Sequence, residues 1–175
     1  MVKSLDDRVI LIAGATGDVG SAVVHEFGAR SEARLALVSR SEEKLGQLVR
    51  DAGLNEDRAF VYPADVTDVD QAEGLVAAVV DRFGGLHALL NTVGGWRGGD
   101  RVEDTSLKDW NWMLTLNLHS AFLLSRAVLP PMLEVGWGRI VHTSSKSALE
   151  PRSTVGAYAV SKMGVITLTE VIASG

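Results

Sequence analysis

The 175-residue sequence contains no cysteine. Disulfide cross-links, thiolate metal ligands and a thiolate nucleophile are therefore excluded, and a cytoplasmic location is expected. No apolar run approaches the roughly 18 residues that a membrane-spanning helix requires, so no membrane partner is expected. The opening stretch MVKSLDDRVILIAG has one Lys, then acids, then a short strand-like run. It lacks the basic, apolar and small-residue order of a secretion signal. Basic blocks are missing as well: the net charge is −5, which disfavours nucleic acid as a partner. The four histidines, His25, His87, His119 and His142, are scattered without paired spacing, so no metal site is expected and each reads as a packing or surface residue. G-x-x-x-x-G-K-[ST] is also absent, which argues against a nucleoside-triphosphate loop.

What is present is an ordinary globular composition, with 46% apolar and 22% charged residues. The length suits one domain over residues 1–175, burying roughly 70% of the unfolded surface. Short apolar runs at 9–14, 35–39, 59–65, 88–93 and 138–145 predict strands. They are nearly continuous in Val, Ile, Leu and Ala, as strands covered on both faces are. Helices are predicted near 18–30, 41–52, 68–83 and 106–134, with capping-box spacing at Thr67/Asp70 and Ser106/Asp109. The stretch 154–173 is rich in β-branched residues, but the strand–helix alternation favours a helix. This order implies an α/β fold, with a parallel sheet joined by right-handed crossovers.

The stretch AGATGDVG, residues 13–20, follows the first strand and opens the first helix. Gly14 permits a tight turn, Gly17 lets backbone approach a pyrophosphate, and Gly20 lets the helix pack close to the sheet. The alternative is a purely structural β–α turn. Ser39 and Arg40 end the second strand where a carboxylate would bind the ribose 2′-hydroxyl of NAD. A hydroxyl and a guanidinium there suit a 2′-phosphate, so NADP(H) is favoured over NAD(H), unless Arg40 is only a solvated surface residue. Asp65 ends the third strand within reach of an adenine amino group. Asn91 ends the fourth, followed by small residues that would let a cofactor lie against the backbone.

Tyr158 and Lys162 are four residues apart, hence neighbours on one helix face. A nearby ammonium stabilises a phenolate and fits the Tyr for acid–base work. Ser145, at the end of the fifth strand, would hold a carbonyl oxygen, while Ser144 reads as structural. Asn117 lies inside the apolar run MLTLNLHSAF and needs a hydrogen-bonding reason, structural or functional. In the loop GGWRGGDR (94–101), Trp96 offers a flat wall and Arg97 or Arg152 an anion contact; a loop with exposed arginines is the alternative.

Together, the glycine turn of 14–20, Asp65, NTVG at 91–94, Asn117, Ser145 and YAVSK at 158–162 resemble the short-chain dehydrogenase/reductase family from residue 5 onward. The resemblance implies a Rossmann-like, doubly wound five-stranded sheet in the order 3-2-1-4-5, with helices on both faces. It implies hydride transfer between a nicotinamide cofactor and a carbonyl/alcohol substrate. Tyr158 would be the acid/base, Ser145 would orient the carbonyl, Lys162 would assist Tyr158 and hold ribose, and Asn117 would support a proton-relay water. The candidate cofactor set is Gly14, Thr16, Gly17, Val19, Gly20, Ser39, Arg40, Asp65, Val66, Asn91, Gly94, Tyr158 and Lys162. Asp18 stands at the middle glycine of the common G-x-x-x-G-x-G turn, so the glycines fit G-x-x-G-x-x-G instead. Relatives continue with a sixth strand, a substrate-covering segment and a seventh strand, so a C-terminally shortened member is expected. An edge strand of sequence RIVH predicts a homodimer or higher homo-oligomer. A non-catalytic nucleotide-binding module, or an inactive fragment of a longer reductase, is the alternative.

Overall fold

A computed structural model describes residues 5–175 of the chain. β1 (Val9–Ala13), β2 (Arg34–Ser39), β3 (Ala59–Pro63), β4 (Ala88–Asn91) and β5 (Arg139–His142) form one parallel sheet in the order β3-β2-β1-β4-β5. This is the expected doubly wound, Rossmann-like order. α1 (Asp18–Arg30), α2 (Glu42–Asp51) and α3 (Val69–Phe83) connect the first four strands. α4 (Leu107–Met113), a π-helical turn (Leu114–His119) and α5 (Ser120–Val135) lead to β5, which α6 (Lys146–Leu149) and α7 (Gly156–Ala173) follow.

The sheet separates two apolar cores because strand side chains alternate between faces. Val9, Leu11 and Ala13 of β1 pack with Leu75, Val76 and Val79 of α3 and with Leu124, Val128 and Met132 of α5. Ile10 and Ile12 face the other way, onto Val24 of α1 and Leu45 and Leu48 of α2. β1 lies at the centre, with Leu11 paired to Ala36 on one side and to Leu89 on the other. Arg58 helps to close the end of α1, donating to the carbonyls of Phe27 and Ser31.

Several boundaries differ from expectation for local reasons. Strand pairing stops short of the predicted ends, at Ala13, Pro63, Asn91 and His142, because the next residues bend away to form loops on one sheet edge. The predicted helix 106–134 is three segments, with the π turn at its middle. Ser106 caps α4, accepting from the Asp109 N–H at 3.1 Å, as its spacing indicated. Thr67 does not cap α3. Its N–H and hydroxyl both donate to Asp65 Oδ1, and Asp68 takes the cap by accepting from the Gln71 N–H. α7 is helical despite its β-branched residues, since Ala157, Ala159, Ser161, Lys162 and Val165 bury one side of it. α6 and a 3₁₀ turn at Val102–Asp104 were not anticipated.

Candidate active site

The loops after β1, β2, β3 and β4 all leave the same edge of the sheet and enclose a cleft of about 530 Å³. It lies where the chain order reverses between β1 and β4, the place at which open parallel sheets bind ligands. Gly14 has φ 76°, and a Cβ there would lie 2.9 Å from Thr92 Oγ1. At Gly20 a Cβ would collide with the Gly14 carbonyl, so the turn folds this tightly only with glycine at both positions. Gly17 stands at the N-cap of α1 and supplies no side-chain cap, which leaves the first-turn N–H groups and positive dipole end for an anion. Asp18 is exposed and does not line the cleft.

Opposite this helix end the cleft is lined by Ser39, Arg40, Ser41 and Lys44. Lys44 escaped notice in the sequence, although it follows Arg40 by four residues and doubles the positive charge at that wall. Asp65 and Val66 form the adjoining side. The Thr67 hydroxyl and N–H bonds hold the Asp65 carboxyl below the usual carboxylate range. The far wall is Thr92, Val93 and Gly94, with Trp112, Thr115 and Leu116 from α4 and the π turn. These three contributors were also missed, because the π turn that holds or adjoins them is invisible in the apolar spacing.

Of the predicted cofactor residues, Gly14, Thr16, Gly17, Ser39, Arg40, Asp65, Val66 and Gly94 line this cleft. Val19, Gly20, Asn91, Tyr158 and Lys162 do not. Val19 is exposed, and Gly20 is buried under the glycine turn. Asn91 is buried behind the wall, its Oδ1 accepting from the Val93 N–H at 3.0 Å.

Tyr158 lies in the first turn of α7, partly buried, with the Lys162 ammonium 6.0 Å from its ring centroid. Lys162 is buried and donates to the Thr143 carbonyl at 2.8 Å. Burial holds its pKa below the ordinary lysine value. A Cβ on Gly94 would lie 2.9 Å from both Lys162 Nζ and Asn117 Oδ1, so α7 and the π turn meet directly behind the cleft wall. Ser145 caps α6, accepting from the Ser147 N–H at 3.2 Å, which leaves its hydroxyl proton free to be donated. Ser144 donates to the Lys162 carbonyl at 2.8 Å and so ties the end of β5 to α7, the structural role expected of it.

Asn117 is buried within the π turn, a helical irregularity that recurs at functional sites. Its amide hydrogens go to the carbonyls of Gly95 and Met113, at 2.9 and 3.0 Å, and its Oδ1 accepts from the Gly95 N–H. The side chain therefore clamps the loop after β4, which is its hydrogen-bonding reason. Arg97 lies 3.9 Å above the Trp112 ring and 3.9 Å from Asp109, so it is engaged by the protein itself. Trp96 is exposed.

Residues 8–175 match the family model described as short chain dehydrogenase. Among curated proteins, the chain is 31% identical to D-beta-hydroxybutyrate dehydrogenase of Rhizobium meliloti (strain 1021), covering 95% of this chain and 64% of that protein. It is 32% identical to D-threitol dehydrogenase of Mycolicibacterium smegmatis, covering 97% and 65%. The chain thus spans slightly less than two thirds of these relatives. Among solved structures, NAD+-bound xylitol dehydrogenase superposes with TM-score 0.88 at 31% identity, over 97% of this chain and 65% of that one. A phenylalanine-to-tryptophan variant of actinorhodin polyketide ketoreductase with NADPH superposes with TM-score 0.87 at 31% identity, over 98% and 66%.

Proposed function

The chain belongs to the short-chain dehydrogenase family, and on that premise we propose that it carries the acid–base and dinucleotide-binding machinery of an NADP(H)-dependent oxidoreductase interconverting a carbonyl and an alcohol. The observation that carries this reading is the meeting at Gly94. The cleft wall there touches both the buried Lys162, one helical turn from Tyr158, and the Asn117 clamp. The cleft fits a dinucleotide on its own terms. α1 offers uncapped N–H groups, and Gly17 leaves open backbone beside them, where a Cβ would have only the Gly14 carbonyl as neighbour at 3.4 Å. Arg40 and Lys44 favour a 2′-phosphate, and NAD(H) is the alternative cofactor.

A nicotinamide dinucleotide supplies the hydride when bound. The chain's own residues do the rest. In the reducing direction Ser145 donates its hydroxyl proton in a hydrogen bond to the substrate oxygen, and Tyr158 delivers a proton to that same oxygen. Hydride addition at carbon and proton addition at oxygen together give the alcohol, and oxidation is the reverse. Lys162 stabilises the phenolate left on Tyr158 and would hold ribose. Asn117 acts by fixing the loop at Gly95, which supports a proton-relay water indirectly. Exposed apolar residues on the two long helices, Phe122 and Leu133 of α5 and Val160, Met163 and Val171 of α7, support pairing with a second copy of the chain.

The test is oxidation of NADPH over a panel of carbonyl compounds. Wild type is expected to turn over, and Tyr158→Phe to lose roughly 10²- to 10⁴-fold in rate while still binding NADPH. Equal rates for the two proteins reject the role of Tyr158. NADPH binding with no carbonyl-dependent oxidation favours the non-catalytic module.

A further inference from the structure

Four hydrogen bonds run in one direction from the cleft wall into the helical layer behind it. The Val93 N–H donates to Asn91 Oδ1 at 3.0 Å. Asn91 Nδ2 lies 3.1 Å from His142 Nδ1, at the end of β5. His142 Nε2 lies 3.0 Å from Ser125 Oγ, on α5. The Ser125 hydroxyl donates to the Ala121 carbonyl at 2.7 Å. Asn91 and Ser125 are buried and His142 is partly so.

Both ends of this series dictate the state of the imidazole. Ser125 has one hydroxyl proton, committed to Ala121, so its oxygen accepts from His142 and Nε2 carries the hydrogen. Asn91 Oδ1 is occupied by the Val93 N–H, so its amide nitrogen faces His142 and Nδ1 is bare. The two demands agree on one neutral tautomer. A second proton on Nδ1 would set N–H against N–H. Asn91 would then have to turn its oxygen to His142 and abandon Val93.

We propose that His142 is a positioning residue for the dinucleotide cleft. Held as the neutral Nε2–H tautomer, it orients Asn91, and Asn91 in turn sets the Val93 amide and the wall from Thr92 to Gly94. The same wall is anchored on its other side by the Thr92 hydroxyl, which donates to the Ala13 carbonyl at 2.7 Å. The series therefore supplies the second fixed point for three residues that face the cleft. The group's surroundings suit this task. α7 presents the Lys162 ammonium, whose charge opposes protonation, while β4 presents the Asn91 amide and α5 the Ser125 hydroxyl. The importance of the wall for a cofactor rests on the oxidoreductase reading; the hydrogen-bond series does not.

Nitrogen NMR of the histidines and amide exchange at Val93 test the series without any ligand, and NADPH titration tests its effect. At about pH 6, His142 is expected to be neutral and protonated on Nε2, with slow exchange at Val93. His142→Leu is expected to speed that exchange and weaken NADPH binding roughly tenfold. In His142→Asn the side-chain oxygen reaches the former Nδ1 position and accepts from Asn91. This variant is expected to recover both properties to within about twofold and to remove any dependence on the imidazole. Unchanged exchange and affinity in His142→Leu, or no recovery in His142→Asn, overturns the proposal. So does a wild-type signal showing the proton on Nδ1 or a charged ring at about pH 6, and that measurement decides alone if the Leu variant does not fold. A wild type that takes up neither NADPH nor NADH defeats the oxidoreductase reading instead, leaving the tautomer and Val93 exchange to judge His142.

Discussion

β1 and β2 are buried along almost their whole length, whereas β4 and β5 have four residues each and β5 alternates exposed with half-buried positions. The contrast extends to chemistry. The buried polar side chains of the described residues, Asn91, Asn117, Ser120, Ser125, Ser161 and Lys162, all come from residue 91 onward. The β1–β2–β3 side holds itself by apolar contact and offers backbone N–H groups and surface charge to a ligand. The β4–β5 side adds satisfied hydrogen bonds of buried polar side chains to its apolar contacts, and the candidate reactive groups are there. Burying polar groups costs stability unless each finds a partner. The site is thus built in the half that apolar packing alone does not secure.

The comparison can be broken most forcefully at Leu11, which is fully buried at the centre of the sheet. Leu11→Ala is expected to cost about 3 kcal/mol in urea denaturation, with NADPH affinity per folded molecule nearly unchanged. A variant that instead keeps its stability and loses cofactor would erase the distinction between the halves. Acid is the next lever. Burial and the charge of Lys162 push His142 down to about 4, and burial with Arg8 and Arg34 lowers His87. For a depressed histidine the unfolded chain takes up the proton first, so stability is lost as pH falls from about 6.5 toward 4. The loss expected from His142 is on the order of 2 kcal/mol, read from denaturation midpoints across that interval. Asp65, on the other side of the sheet, runs to a different window. Its lowered pKa stabilises the fold above its unfolded value of 3.8, and that contribution fades only below it. A denaturation free energy that stays flat from pH 7 to about 4.5 would contradict the histidine assignment. The smallest expected effect is at the exposed charge of the cleft: Arg40→Ala should weaken NADPH roughly tenfold and leave NADH unaffected, by calorimetry.

The apolar half was legible in the sequence, and the polar half only in part. Near-continuous runs such as VILIA and RLALVS announce strands covered on both faces, and their alternation with helices implies a parallel sheet. Gly14, Gly17 and Gly20 disclosed the turn because the lack of a side chain, which frees φ at Gly14 and makes room at Gly20, is a property of the residue itself. The π turn left no such mark. MLTLNLHSAF is apolar enough to continue one helix, and an added residue per turn changes hydrogen bonding without changing composition. His142 looked scattered for a different reason. Its partners lie 51 residues away at Asn91 and 17 away at Ser125, and only the pairing of β4 with β5 and the docking of α5 on the sheet bring them together. Thr67 misled as a helix cap because Asp65, two residues before it, competes for the same N–H and hydroxyl.

The π turn at Leu114–His119 has a geometric consequence as well as a local one. Each residue added to a helix rotates all that follows by about 100°. α4 and α5 are therefore two lengths of one rod set out of phase. Trp112 of the first addresses the cleft, while Leu124, Val128 and Met132 of the second address the sheet. The information lies in a residue count and not in any side chain. Most substitutions within the turn would leave this gearing intact, whereas removal of one residue would swing either the cleft wall or the core stripe away from its surface.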